Sequence, residues 1–436
     1  LAVLCGFIVM VGELALGRKT GKGVVSAYHV LSKRFKWLGW LGILSPFFIL
    51  FFYCALGGYC IKYVVVNVGD LFGASFGSAA FAEVAAANGT SLGAEVFNAF
   101  MGNPTEAIIY GLIFVALTML IVMGGVSGGI EKVCSVGMPA LFVMLLICII
   151  RACTLPDAVN GLKYMFVPGW AVANGIIEEA PNFLTVLSTA GGQMFFSLSL
   201  GMGAMITYGS YLQKKESVQK NAVIIVICDT IVAIMAGMIV MPACYAFLGG
   251  ETSSGPGLLF KSMQMVFHQM GYVGNIMGFL FYALVFIAAI SSSMSLLEVI
   301  TSFKVDQNVE QGKAPGRKKY AIIVAILVFI FSLPVALDGL GSGVAGGATI
   351  DYPAAMLGID KQTWSGDWLD FYDMLSEGIM MPLGAMIMAF GIGWIWKLDM
   401  IVEECEASGH KFWGHTFFDI CYKFITPIGM AFVLYG

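Results

Sequence analysis

The chain has 436 residues, of which 59% are hydrophobic and 11% are charged, and its formal net charge is −4. Since soluble globular domains carry about 25% charged residues, this composition excludes an ordinary soluble domain and predicts a polytopic membrane protein. The sequence has no basic stretch with interleaved aromatic residues and no CxxC pair among its ten cysteines, so it indicates neither nucleic-acid binding nor a metal or redox centre.

Ten long apolar runs predict ten membrane spans. The runs lie at 1–17, 38–66, 107–125, 133–152, 183–212, 221–249, 272–303, 320–337, 371–397 and 411–436. Lys and Arg concentrate in the loops 18–37, 213–220 and 304–319, whereas the loop 67–106 contains neither. Because positively charged loops stay in the cytoplasm, we expect those three loops to be cytoplasmic and residue 1 to be external in a multi-pass protein of the plasma membrane.

The first two spans each contain a distinctive feature. The first ends in the sequence ELALGR, which includes Glu13, Gly17 and Arg18. The second contains Pro46, which can kink a helix, and Tyr53 about two turns beyond it. A tyrosine in a membrane helix is most often a packing residue or an interface anchor, so the spacing alone leaves a binding role for Tyr53 open.

The stretch 190–212, AGGQMFFSLSLGMGAMITYGSYL, is apolar but does not suit an uninterrupted helix. Ser197, Ser199, Gly201 and Gly203 fall within seven residues, and glycine in a helix interior costs about 1 kcal/mol relative to alanine. Backbone groups freed by a break in lipid need partners inside the protein. Such a break offers carbonyls to a cation and a helix N-terminus to a carboxylate, so it predicts a binding site. Close packing of small residues against a neighbouring helix is the alternative.

Two later spans also carry polar groups inside apolar runs. Asp229 is an intramembrane carboxylate, which is by default a functional hypothesis because its burial is costly; a protonated, hydrogen-bonded structural aspartate is the alternative. Ser291 to Ser293 follow the small residue Ala288. Hydroxyl and carbonyl oxygens are hard donors that suit a hard cation such as Na+, although small residues also serve helix packing.

The run GQMFFSLSLGMGAMITYGSY at 192–211 closely resembles the sixth transmembrane helix of the neurotransmitter:sodium symporter family. Glu13, Gly17 and Arg18 are similar to the end of its second helix. The resemblance extends along the chain as helices two to eleven, and we expect the family's first helix upstream of residue 1. It implies an all-α polytopic membrane protein with a LeuT-like inverted-repeat fold, forming a single integral membrane transporter domain over 1–436.

The resemblance also implies roles for individual residues. The residues implied to bind or line the substrate site are Ile49, Tyr53, Phe196, Ser199, Gly201, Met202, Gly203 and Leu296. Two sodium sites are implied, one formed by Ser197 and Asp229, the other by the Ala288 carbonyl, Ser291 and Ser292. The implied gate residues are Gln193, Tyr211, Asp306 and Asp373. Tyr53 would meet the substrate carboxylate, and Asp229 would replace chloride as the fixed negative charge.

These features favour sodium-coupled symport of an amino acid by alternating access. The side chains expected around the substrate are apolar, and burying a charged side chain there unpaired would cost several kcal/mol, which favours a large apolar or aromatic substrate. A sodium-dependent transporter of another small amine or osmolyte is the alternative, as is an ion-binding membrane protein that does not transport. The chain has no HExxH or GxxxxGK[ST] motif, so no enzyme is predicted. The sequence indicates a small-molecule substrate and lipid, but no protein partner.

Overall fold

The structure is a computed structural model that describes residues 1–250, 253–340 and 351–435. The described residues form helices and connecting loops, and no β-strand occurs in these three ranges. In chain order the helices used below are α1 (Phe7–Thr20), α2 (Val24–Leu31), α3 (Lys36–Phe72), α4 (Leu92–Met101), α5 (Pro104–Met123), α6 (Glu131–Cys153), α7 (Ala158–Phe166), α8 (Phe183–Ser197), α9 (Ala204–Tyr211), α10 (Val218–Leu248), α11 (Met263–Gln269), α12 (Tyr272–Glu310), α13 (Arg317–Asp338), α14 (Trp368–Trp396), α15 (Asp399–Glu406) and α16 (His415–Tyr435).

Eight helical segments in the described chain are long and apolar enough to cross a membrane, and they contain α3, α5, α6, α10, α12, α13, α14 and α16. Two of the ten predicted spans are not among them. The span 183–212 is divided into α8 and α9, each shorter than the roughly 20 residues that cross a bilayer as one helix. The span 1–17 begins with a π-helical turn, Ala2–Gly6, which continues into α1.

Local sequence determines where several helices begin and end. Asn103 precedes α5, and its side-chain oxygen accepts a hydrogen bond from the Glu106 amide at 3.2 Å, with Pro104 at the first helical position. Ser217 caps α10 in the same way through the Lys220 amide at 3.3 Å. Such caps satisfy amides that have no partner within the helix. The helix α3 ends at Gly73, whose φ of 61° suits glycine.

Close helix packing depends on glycine in the core. A Cβ on Gly17 of α1 would lie 1.9 Å from the Ile206 carbonyl oxygen of α9, and one on Gly209 would lie 2.5 Å from the Leu14 carbonyl oxygen. The helix α3 approaches α5 similarly, because a Cβ on Gly58 would lie 2.8 Å from the backbone of α5. Small residues let membrane helices pack backbone to backbone, so α1 and α9 form a tightly fitted pair.

The two ends of the chain meet at one face of the molecule. The Arg18 guanidinium of α1 is fully buried and donates from Nε to Glu404 Oε1 at 2.7 Å. It also donates to the Glu404 carbonyl oxygen of α15 and, at 2.5 Å, to the carbonyl oxygen of Glu216. Lys214 Nζ also donates to Glu404 Oε1, at 2.7 Å. We call Arg18, Lys214, Glu216 and Glu404 the terminal clamp.

Candidate functional site

The break between α8 and α9 is the centre of the candidate site. The helix α8 ends at Ser197 and α9 begins at Ala204, as the clustered serines and glycines predicted. Between them φ is positive at Ser199 (55°), Gly201 (76°) and Gly203 (73°). Glycine adopts this region freely, whereas a residue with a side chain pays about 1–2 kcal/mol there. The unwound segment therefore interrupts the regular helical hydrogen-bond pattern inside the protein.

Neighbouring helices hold the break on several sides. A Cβ on Gly201 would lie 2.2 Å from the Met381 carbonyl oxygen of α14, and one on Gly203 would lie 2.9 Å from the Gly42 carbonyl oxygen of α3. From α1, Glu13 Oε1 accepts a hydrogen bond from the Gly201 amide at 2.7 Å. Glu13 therefore satisfies one of the backbone groups that the break frees in the membrane.

The sequence analysis did not assign Glu13 to the candidate site, but the structure brings it there. It is buried, and its second carboxylate oxygen has no hydrogen-bond partner in the described part of the chain. The signal that could have found it is an acidic residue in an apolar span, the same signal that identified Asp229. Its contact with Gly201 joins residues 188 positions apart, which no local pattern reveals.

The first predicted sodium pair lies together in the structure. Ser197, the last residue of α8, donates from Oγ to Asp229 Oδ1 of α10 at 2.7 Å. Asp229 is half-buried and Ser197 is exposed. A hydroxyl and a carboxylate in contact beside the break form a compact group of hard oxygen donors.

The second predicted group lies on α12. Ser291 Oγ donates to the Ala288 carbonyl oxygen at 2.8 Å, so these two candidate ligands are adjacent. Ser292 is exposed and lies within interaction range of the Tyr53 side chain of α3. Ser293 points elsewhere, because its hydroxyl shares a 2.8 Å hydrogen bond with Thr118 of α5 and is buried. The serine run thus divides into two residues on the candidate site and one that packs helices together.

The predicted apolar wall belongs to one continuous hydrophobic core. Ile49 of α3, Met202 of the break and Leu296 of α12 are buried in it, and Phe196 packs against it half-buried. The four residues come from four different elements, α3, α8, the break and α12. Ile49, Phe196, Met202 and Leu296 thus contribute to the same core as the break between α8 and α9.

The predicted gate residues lie in two regions. Gln193 and Asp373 both line a cavity of about 420 Å³ between α8 and α14, which also contains Asp370 and Glu377. Tyr211 and Asp306 do not line this cavity, and the structure gives them separate partners. Asp306 Oδ2 accepts a hydrogen bond from the Gly23 amide at 2.6 Å.

The partner of Tyr211 is Glu298. The Tyr211 hydroxyl donates to Glu298 Oε1 at 2.7 Å, and Arg317 Nη1 of α13 donates to Glu298 Oε2 at 2.5 Å. The Glu298 side chain is fully buried, so both of its oxygens are paired where an unpaired charge would be costly. Glu298 is therefore a structurally paired carboxylate that joins α9, α12 and α13.

The donor chemistry around the break suits an alkali cation. Hydroxyl, carbonyl and carboxylate oxygens are the ligands that hard cations prefer, and the two candidate groups supply all three. Within residues 1–250, 253–340 and 351–435, no group of three or more His, Cys, Asp or Glu side chains could hold a metal ion. The oxygen donors of the two candidate groups fit Na+.

Comparisons with known proteins identify related transporters. The sequence model of the sodium:neurotransmitter symporter family matches residues 99–436. The uncharacterized sodium-dependent transporter YhdH of Bacillus subtilis is 30% identical over 441 residues, which cover 99% of this chain and 86% of that protein. An uncharacterized sodium-dependent transporter of Haemophilus influenzae is 29% identical, with 98% of this chain and 86% of that protein covered.

The fold resembles a solved transporter structure. The crystal structure of MhsT in complex with L-phenylalanine matches with a TM-score of 0.80 and 30% sequence identity, covering 100% of this chain and 89% of that one. The predicted all-α membrane fold of the LeuT type is thereby confirmed. The family consists of transporters, and its matched relatives are sodium-dependent. The chain is therefore a multi-pass, sodium-dependent symporter that belongs to the sodium:neurotransmitter symporter family.

Proposed function

We propose that this chain carries a large apolar or aromatic amino acid into the cell together with Na+, by alternating access. The observation that carries the proposal is the break between α8 and α9, which has the Ser197–Asp229 oxygen pair at its start and the buried Met202 within it. Sodium supplies positive charge beside the substrate carboxylate and couples transport to the ion gradient. The binding and gating roles below are proposals for this chain's own residues.

The substrate would lie between the break and α3. The Tyr53 hydroxyl and the backbone of Ser199, Gly201 and Gly203 offer hydrogen bonds to its carboxylate and amine. Ile49, Phe196, Met202 and Leu296 offer an apolar surface to its side chain. Methionine adapts to irregular shapes, including aromatic rings, and the matched MhsT structure contains L-phenylalanine. Both facts favour a bulky apolar side chain over a charged one.

Two sodium sites are proposed on the oxygen groups described above. Ser197 and Asp229 would hold the first ion, and the Ala288 carbonyl, Ser291 and Ser292 would hold the second. Because Asp229 carries a fixed carboxylate beside the first site, transport should not require chloride.

Gating would occur at the two ends of this site. Phe196 and Gln193 would cover it from outside together with Asp373, whose side chain lines the same cavity as Gln193. Tyr211 and Asp306 would act on the cytoplasmic side. The charge distribution places the loops 18–37, 213–220 and 304–319 in the cytoplasm and residue 1 outside. All of these parts would belong to one transporter domain, 1–436, in the plasma membrane.

The test is uptake of labelled leucine into proteoliposomes that contain the protein. We expect uptake to require an inward Na+ gradient and to be inhibited by tryptophan, tyrosine and phenylalanine but not by lysine or glutamate. Met202→Phe should shift the preference towards smaller side chains, since the wall becomes bulkier and stiffer. Equal uptake in potassium or choline buffer would refute sodium coupling, and inhibition by lysine or glutamate alone would refute the proposed pocket.

Chloride is tested in the same vesicles. Replacing chloride by gluconate should leave uptake unchanged, because the Asp229 carboxylate already supplies the negative charge. Asp229→Asn removes that charge and should abolish uptake or make it depend on chloride. Loss of wild-type uptake in gluconate would show that Asp229 does not replace the anion.

A further inference from the structure

The short helix α7 lies between two membrane spans, and its two faces differ. Ala158 and Gly161 are buried against α10. On the other side Val159 and Phe166 expose 59% and 52% of their surface, and the exposed Lys163 lies between them in the helical register. A lysine flanked by exposed apolar side chains is typical of a helix at a membrane interface.

Contacts with α10 show how deep α7 lies. A Cβ on Gly161 would be 2.6 Å from backbone atoms of Met241 and Pro242, so the two helices touch there. The Met165 side chain occupies the space beside Gly237, further from the end of α10.

Aromatic residues mark the interface on the same side of the molecule. The rings of Tyr164 and Trp170 each lie 5.9 Å from that of Tyr245, near the end of α10. Tyr and Trp concentrate at the level of lipid headgroups. At 1.5 Å per residue, Met241 is about 6 Å and Gly237 about 12 Å from Tyr245 towards the membrane centre. That range overlaps the depth of about 5–10 Å at which interfacial helices bury their apolar faces.

The membrane-spanning neighbours of α7 also expose apolar side chains, as lipid-facing helices do. Ile147 and Ile150 of α6, which leads directly into α7, expose 42% and 66% of their surface, and Ile234 of α10 exposes 42%. A second protein copy is a poorer occupant, because a standard interface buries about 800 Å² per partner and this face offers only a few side chains.

We propose that α7 is an interfacial helix whose Val159 and Phe166 are covered by phospholipid acyl chains. The leaflet is the outer one in the orientation proposed above, and Lys163 extends to the headgroup phosphates. This segment, which lies outside all ten predicted spans, is then part of the membrane-embedded surface and tethers the loop between α6 and α8 to the bilayer.

The test is photocrosslinking of the whole protein in phosphatidylcholine–phosphatidylglycerol nanodiscs. Benzoylphenylalanine is introduced singly at Val159 or Phe166. Matched controls are the lipid-facing Ile231 in α10 and Asn174, an exposed residue of the same loop. Intact mass spectrometry after illumination counts lipid adducts. All four side chains are exposed or half-exposed, so the variants should fold.

We expect lipid adducts at Val159 and Phe166 with yields like that at Ile231, and few or none at Asn174. Yields at both α7 positions as low as at Asn174 would overturn the proposal. Crosslinks that join two copies of the chain would also overturn it, since the face would then be a protein interface. The readout needs no transport activity, so it is independent of the substrate and ion assignments.

Discussion

At the scale of single residues, neighbours in sequence have different tasks. Ser292 faces the region of Tyr53, whereas Ser293 is hydrogen-bonded to Thr118 on the next helix. The three consecutive serines indicated either cation ligands or helix packing, and the structure assigns one of them to packing. A helix rotates by 100° per residue, so three consecutive side chains cannot all face one site.

This difference provides a matched pair of substitutions. Ser292→Ala should raise the Na+ concentration needed for half-maximal uptake, because the proposed second ion site loses an oxygen ligand. Ser293→Ala should leave that concentration unchanged and should only lower the melting temperature slightly, since interhelical hydrogen bonds in membranes contribute about 0.6 kcal/mol. Uptake titrated with Na+ measures both, and equal shifts in the two variants would contradict the assignment.

At the scale of elements, a broken helix needs support from outside itself. The helical hydrogen-bond pattern is interrupted between α8 and α9, and Glu13 on α1 accepts a hydrogen bond from the Gly201 amide there. Glycine at Gly201 permits both the positive φ and the close approach of α14. The break therefore depends on α1 and α14 as well as on α8 and α9.

Glu13 variants separate its charge from its hydrogen bond. Glu13→Ala leaves the Gly201 amide unpaired, which costs about 1–3 kcal/mol, so the melting temperature in detergent should fall and uptake should be lost. Glu13→Gln keeps a carbonyl oxygen that can accept the same bond and should melt closer to wild type. Melting curves that coincide for the two variants would show that the hydrogen bond does not support the break.

Another element, the short helix α11, carries a directional chain of side-chain hydrogen bonds. Asn67 Nδ2 donates to Gln264 Oε1 at 3.1 Å. The Gln264 amide nitrogen therefore faces His268 Nε2, 3.2 Å away, and donates to it. Burial lowers the pKa of His268, an effect that the negative charge of Asp70 partly opposes. A protonated His268 could not accept this bond, so the folded state favours the neutral ring.

The consequence is a loss of stability in acid. An unfolded histidine binds its proton below about pH 6.5, whereas the folded ring resists protonation until the pH is lower. The titration of His268 therefore leaves the free energy of unfolding unchanged above about pH 6.5. It lowers that free energy as the pH falls below this value. Wild-type melting temperature should fall more than that of His268→Gln between about pH 7.5 and about pH 5. Identical pH profiles would contradict this.

At the scale of the whole molecule, the sequence was informative about spans and less so about contacts. Apolar runs predicted all eight described helical segments that are long and apolar enough to cross a membrane, and the serines and glycines of 190–212 predicted the break. The pairing of Glu13 with Gly201 and of Tyr211 with Glu298 was not predicted, because such contacts depend on how distant helices pack. Tyr211 and Asp306, grouped as a gate by resemblance, have separate partners here.

The terminal clamp is expected to stabilise the assembled molecule. Arg18→Ala leaves the buried Glu404 carboxylate with one exposed partner, Lys214, and breaking a buried ion pair costs about 3–5 kcal/mol. Lys19→Ala removes the neighbouring pair with Glu403, whose side chain is 75% exposed, and exposed pairs contribute about 0–1 kcal/mol. The first variant should melt at a clearly lower temperature than the second, and similar melting temperatures would refute a structural role for the clamp.

The terminal clamp can form only late in synthesis, after α15 has left the ribosome. Arg18 is synthesised 386 positions before its partner Glu404. Ile8 is synthesised 414 positions before Tyr422, whose hydroxyl donates to the Ile8 carbonyl oxygen at 2.6 Å. At about 5–20 residues per second, α1 waits at least about 20 seconds for these partners. During that interval a buried arginine has no counter-ion from α15. A nascent chain stopped before α15 should therefore remain unassembled and exposed to membrane quality-control proteases, even though most of its helices are already inserted.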